Sequence, residues 1–146
     1  MPVDQMMKNE RPSEELFKSA YHFFRSAFMD APVAIEYYDL DGNIVMSNKA
    51  TFELFGVQSP EDVKGFNMFD DPNLDDATKQ KLSEGKPFRH SLKFSFDTVR
   101  EHKLYPTSKT GDVYLDVSVI PFISNAGDHI GYLVYLLDIT SQKDGK

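Results

Sequence analysis

The spacing of apolar residues changes repeatedly along the chain, and each change predicts an element. Ser13, followed by Glu14 and Glu15, reads as a helix start: a capping hydroxyl, then two acids at the positive end of the dipole. Leu16, Phe17, Ala20, Tyr21, Phe24, Ala27 and Phe28 then recur at helical spacing until Asp30 and Pro32 stop it. Residues 33–38 are β-branched and aromatic and predict a strand. A turn over 39–43, with Gly42 free to take positive φ, leads back into a strand over 44–47, making a hairpin. In "NIVMSNKATFELFG" the period then switches from two to about four. Asn48 is suited to cap a helix over 50–55, and Gly56 to end it in the left-handed conformation. Pro60 opens another short helical piece, and 74–84 reads as a polar, exposed helix closed by Gly85.

The second half is mostly strand. Phe88, His90, Leu92, Phe94 and Phe96 alternate with Arg89, Ser91, Lys93 and Ser95, and 97–102 adds a helical turn. Val113, Leu115, Val117 and Val119 alternate with Tyr114, Asp116 and Ser118. After a turn at 125–128, the stretch 130–139 is apolar at both parities, which predicts a strand in the middle of a sheet with both faces covered. The aromatic N-terminal helix is the expected cover for the second face. The order of elements suits an α+β domain, an antiparallel sheet with helices gathered on one face.

Composition narrows the function. The 146 residues fit one domain and carry a net charge of −7, which argues against nucleic acid or an anionic membrane as partner. Cysteine is absent, so disulfides, thiolate metal sites and cysteine nucleophiles are excluded. No apolar run approaches the roughly 20 residues of a membrane helix. A cytoplasmic chain is expected, with residues 1–12 a flexible N-terminus and 141–146 a tail or the start of a linker. No Gly-rich phosphate loop and no nucleophile–base set stands out, so no catalytic residues and no metal ligands are assigned. The Asp39-x-Asp41-Gly42-Asn43 turn would place Ala50 where a calcium loop needs a bidentate Glu. The acids of "DDPNLDD" (70–76) read as loop and helix-cap residues.

The joint order and spacing of three segments resemble the PAS domain, the sensory module of histidine kinases, cyclases and clock proteins. These are "FRSAFMDAPVAIEYYDLDGNIVMSNKATFELFG", "SPEDVKG" and "TGDVYLDVSVIPFISNAGDHIGYLVYLLDITSQK". The resemblance covers about residues 24–143, the domain itself being placed at 24–140 with 13–23 as a helical extension. It implies a five-stranded antiparallel sheet of order 2-1-5-4-3, with the last strand central and helices on the concave side. It implies a sensory module of a bacterial or archaeal signalling protein that responds to a small molecule or a partner. The signal would pass by dimer rearrangement to an effector such as a histidine kinase or a diguanylate cyclase.

The same resemblance points to a cavity between sheet and helices, with an expected lining of Tyr37, Met46, Met68, Phe69, His90, Leu92, Phe94, Val117 and Val119. Two readings of that list stand: a pocket for a small ligand, or an ordinary filled core. His90 is either a ligand-facing donor or a bonded core histidine. Haem-binding versions usually supply histidine from a helix, so haem is not expected, and flavin–cysteine photochemistry is excluded by the missing cysteine. The ligand or cofactor itself stays unknown. Phe17, Tyr21, Phe24 and Phe28 cover the sheet's back, form a homodimer interface, or both. Asp138, Ile139 and Thr140, where the family often closes before its effector, are the expected signal output. The alternative function is a ligand-free protein–protein dimerisation scaffold.

Overall fold

The computed structural model describes residues 13–145. The expectation for residues 1–12 lies outside these. Helix α1 (Glu14–Asp30) starts on Ser13, whose hydroxyl accepts from Leu16 N at 3.1 Å. The hairpin β1 (Ala34–Asp39) and β2 (Ile44–Ser47) follows, then α2 (Lys49–Phe55). Two 3-10 turns, Pro60–Val63 and Met68–Asp70, lead to α3 (Asp76–Ser83). Then come β3 (Phe88–Ser95), α4 (Phe96–Glu101), β4 (Asp112–Ile123), β5 (His129–Asp138) and α5 (Thr140–Gly145). The sheet is antiparallel, in the order β2-β1-β5-β4-β3.

Local chemistry sets these boundaries. Asn48, fully buried, accepts from Thr51 N at 3.1 Å and so caps α2, while Gly56 ends it at φ +66°. Its Oδ1 also takes the β1 amide of Ile35 at 3.0 Å, so the joint between strand and helix is tied to the neighbouring strand. Asp75 caps α3 by accepting from Thr78 N at 2.7 Å.

Strand parity then decides the core. Leu115, Val117 and Val119 of β4, Tyr132, Val134 and Leu136 of β5, and Phe94 of β3 are buried on the concave face. Phe96, Leu82 and Val99 close it from the helices, and each such aliphatic or aromatic side chain contributes roughly 1.5–3 kcal/mol by burial.

The other face differs from the sequence expectation. β5 is central, but α1 has no buried residue and packs mainly on α2 rather than across the sheet. Leu137, Ile120 and Phe122 of the convex face remain exposed. The apolar parity that predicted a covered back describes a surface that none of the described elements covers. The segment expected as a tail or the start of a linker lies in α5 as far as residue 145.

Candidate functional site

A cavity of about 80 Å³ lies between the concave face of the sheet and the helices. Most of its wall is hydrocarbon. Leu115, Val117 and Val119 of β4 and Val134 and Leu136 of β5 form the floor, and Phe55, Phe66, Met68 and Leu82 the roof. Of the lining expected from sequence, Met68, His90, Leu92, Phe94, Val117 and Val119 are there.

Three positions are corrected. On β1 the buried parity is Ala34, Glu36 and Tyr38, so Tyr37 points to the convex face, where its ring meets Phe122 edge-on at 5.3 Å. Met46 lies on the edge strand β2 and is exposed. Phe69 packs under the hairpin turn, where its ring fills the space a side chain at Gly42 would need. In each case aromatic or Met character suggested a lining residue, whereas parity or the turn geometry sends it elsewhere.

What the sequence reasoning missed is polar. Glu36 is 8% exposed and Asp71 3%, and both line the cavity with Tyr38 and Tyr105. The Tyr38 hydroxyl donates to Glu36 Oε1 at 2.8 Å. Asp71 accepts from Asn73 N at 2.9 Å. Burial is the largest influence on Glu36 and pushes its carboxyl from 4.5 up to about 7; the Tyr38 bond opposes this and nearby Asp71 adds to it. Burial likewise raises Asp71, against the hydrogen bonds from Asn73 and the field of Lys79. Tyr38 and Tyr105 are both pushed up, chiefly by burial and then by Glu36. Burial and the proximity of the two acids thus favour the protonated form of each at this end of the cavity. The available signal was an acid at an inward position of a strand, Glu36 between Ala34 and Tyr38. Asp71 had none, because loop acids ordinarily face water.

The far end of the cavity is marked by His90. It stacks on Phe88 with ring centroids 5.6 Å apart, and burial lowers its pKa, which keeps the ring neutral. Its Nε2 is buried and has no hydrogen-bond partner. Glu36 pairs with Val134, Val134 with Val119 and Val119 with Phe88, so Glu36 and Phe88, two residues before His90, stand three strand spacings apart, roughly 14 Å. A second, outer cavity of about 290 Å³ between α3 and β3 shares Thr78, His90 and Leu92 with the inner one. The inner space is too small for a porphyrin. Among the described residues no three His, Asp or Glu side chains gather to hold a metal.

The dimer and output candidates lie elsewhere. Phe17 and Tyr21 of α1 are 65% and 53% exposed, Phe24 is exposed and Phe28 half-buried. Asp138, Ile139 and Thr140 join β5 to α5, where Asp138 Oδ1 accepts from Thr140 N at 2.9 Å. Among the described residues no helix is long and apolar enough to cross a membrane.

A five-stranded 2-1-5-4-3 sheet cupping a small cavity defines the class, and the sequence agrees. The chain belongs to the PAS family, whose PAS-fold profile matches residues 22–139. The fold is similar to that of the PAS domain of an HTR-like protein from Haloarcula marismortui, with TM-score 0.64, 18% identity, and coverage of 86% of this chain and 97% of that one. It is also similar to the PAS domain of BvgS from Bordetella pertussis, with TM-score 0.61, 18% identity, and coverage of 90% and 94%. A third similar structure is a PAS domain from a two-component sensor histidine kinase, with TM-score 0.58, 14% identity, and coverage of 86% and 99%. No curated protein matches this chain.

Proposed function

We propose that this domain is a sensory module that binds a small molecule in its inner cavity and passes the event to an effector through a dimer. The observation that carries the reading is the cavity itself: an apolar chamber with few polar groups, the usual character of a ligand site. Family membership and the similar domain from a sensor histidine kinase support a signalling context. A histidine kinase or a diguanylate cyclase is the kind of effector we expect, in the cytoplasm. Met68, His90, Leu92, Phe94, Val117 and Val119 contact the ligand, the aromatic residues of α1 join two copies, and Asp138, Ile139 and Thr140 form the exit. We assign no catalytic role to the domain. A ligand acts only through unequal affinity for two arrangements of the sheet and α1.

A dimerisation scaffold without ligand is the second reading, favoured by one observation: α1 buries none of its residues within the chain. Native mass spectrometry of the purified protein, compared with its denatured mass, separates the two. An additional mass lost on denaturation supports the sensor. A clean dimer of unliganded mass that stays unliganded in cell extract overturns it in favour of the scaffold.

A further inference from the structure

We propose that the inner cavity selects small amines, molecules with one protonated nitrogen on a compact apolar body, and that the nitrogen seats against Glu36 and Asp71. This rests on the sensory reading above and names its ligand class.

A carboxyl group on the buried face of a strand is costly unless something compensates it. Glu36 occupies such a place, between buried Ala34 and buried Tyr38. Tyr38 bonds one of its oxygens, and Asn73 bonds one oxygen of Asp71. Neither acid forms an ion pair among the described residues, and Asp71 feels only the more distant fields of Lys79 and His102. The ion pairs among the described residues join Lys18 to Glu14, Lys49 to Asp30, Arg89 to Asp116, Lys93 to Asp112 and Arg100 to Asp97, all away from the cavity. Buried acids are ordinarily paired, so two buried acids with no ion-pair partner among the described residues, opening on an apolar chamber, leave room for the one group an amine would bring. The opposing valines and leucines of β4 and β5 match the hydrocarbon body.

The route in is also legible. The outer cavity between α3 and β3 carries Asp75 and Lys81, a wall of mixed charge, and meets the inner one at Thr78, His90 and Leu92. Burial lowers the pKa of His90, so the ring adds no positive charge where the cavities meet, and Lys81 is the cation on the outer wall, opposite in sign to Asp75. Size limits the ligand. The inner volume of about 80 Å³ is near half of the ~150 Å³ that accommodates benzene. That suits bodies of about four or five carbons, with larger ones admitted as the flexible Met68 side chain gives way.

The test uses the intact protein and six probes: isobutylamine and cyclopentylamine, isobutanol and cyclopentanol, isobutyrate and cyclopentanecarboxylate. Affinity is measured by calorimetry at pH 7.5, and the Glu36 carboxyl is followed by carbon-13 NMR. Each amine is expected to bind on the order of tenfold or more tighter than its alcohol, the advantage of a charge-assisted hydrogen bond, and each carboxylate more weakly than both. The Glu36 titration is expected to move to lower pH when an amine is bound. E36Q keeps an acceptor for Tyr38 and is expected to fold; it and D71N each bring amine affinity down to that of the alcohol without changing the alcohol's own. Amines binding no better than alcohols would overturn the amine assignment while leaving a ligand-binding cavity in place. Amine binding that leaves the Glu36 titration unmoved would place the amines elsewhere and also overturn it. Absence of binding by every probe at millimolar concentration overturns it as well, and the sensory reading is then judged separately by native mass spectrometry.

Discussion

Asn48 donates from Nδ2 to the carbonyl oxygen of Phe28 across 3.0 Å. The same amide group donates to Val33 O at 2.9 Å, while its oxygen accepts from Ile35 N, Thr51 N and the Thr51 hydroxyl. One buried side chain thus holds the last turn of α1, the entry to β1 and the start of α2. Because α1 buries no residue of its own, this bond and the Lys49–Asp30 ion pair at 2.8 Å are its main polar ties to the sheet-and-helix body. These ties lie at the C-terminal end of α1, while Phe17, Tyr21 and Phe24 further back are exposed.

Replacing Asn48 tests that role. Asn48→Ala leaves several buried donors and acceptors unsatisfied, at about 1–3 kcal/mol each for those that water does not reach. A total loss of about 3 kcal/mol or more is expected in urea unfolding. Asn48→Asp keeps the acceptor and loses both donations, so amide exchange near residues 24–30 should quicken selectively. Protection unchanged in that segment would show that α1 is held by something else.

The acid pair makes stability depend on pH, and the direction follows from Glu36. Its folded pKa of about 7 lies above the ordinary 4.5, so the native state binds the proton more tightly than the unfolded chain. Stability is therefore greatest below pH 4.5 as far as this group is concerned, falls as pH rises to about 7, and is level above that. The full difference is on the order of 3 kcal/mol, and raised Asp71 adds in the same direction. Glu36→Gln should flatten this part of the profile and stabilise the protein at pH 8. A wild-type midpoint in urea that rises between pH 5 and pH 7.5 would contradict the burial of the pair.

How far the sequence announced this structure depends on what kind of information each feature uses. Periodicity located β3, β4 and β5, because every second side chain of a strand meets the same environment. Capping chemistry located the start of α1 and the Asn48 joint, because those bonds are local. The order of the sheet came with the family resemblance. The back face and the acid pair were not legible. Leu137, Ile120 and Phe122 look like core residues in any pattern that reads hydrophobicity alone, and only the path of α1 shows them uncovered. Asp71 enters the cavity through the fold of a loop, a nonlocal event that no spacing encodes. Tyr37 and Tyr38 show the limit well: adjacent, chemically alike, and sent to opposite faces by a parity that one residue decides.

Gly131 sets that parity in place. On β5 it pairs with Asp39 of β1 and Phe122 of β4, and a Cβ there would lie 2.3 Å from the Tyr38 carbonyl oxygen and 2.8 Å from the Tyr37 ring. Backbone cannot retreat as a side-chain tip can. Gly131→Ala should cost about 1–3 kcal/mol, as other overpacked sites do, and should broaden the resonances of Tyr37 and Tyr38. A fully stable variant would mean that β1 and β5 are further apart than this register places them.

Two copies joined through α1 would cover the aromatic stripe. Phe17→Ala with Tyr21→Ala removes its two most outward rings beyond the body of the domain, and neither change opens a cavity in the core. Sedimentation should then show a dimer dispersing to monomers, with the thermal midpoint of the monomer fold little altered. A dimer that persists through the double change would move the interface to the exposed back of the sheet, at Leu137, Ile120 and Phe122.

The end of β5 lies close to the cavity wall. Leu136 lines the inner chamber, and Asp138 lies two residues further along the same strand. Asp138 accepts from the Thr140 amide and hydroxyl, and the Thr140 hydroxyl oxygen accepts from Tyr114 N at 2.9 Å. Ile139 N also donates to Tyr114 O at 2.8 Å, so the start of α5 is pinned to β4, whose next inward residue, Leu115, is another cavity wall. A shift of β4 against β5 would thus turn the base of α5. Asp138→Ala removes the side chain that fixes this joint while leaving every cavity residue in place. In a receptor that joins this domain to a histidine kinase, the variant should bind ligand as before, keep its fold, and lose most of the ligand-dependent change in kinase output. Output that follows ligand as in the unaltered receptor would rule out the Asp138–Thr140 joint as the route.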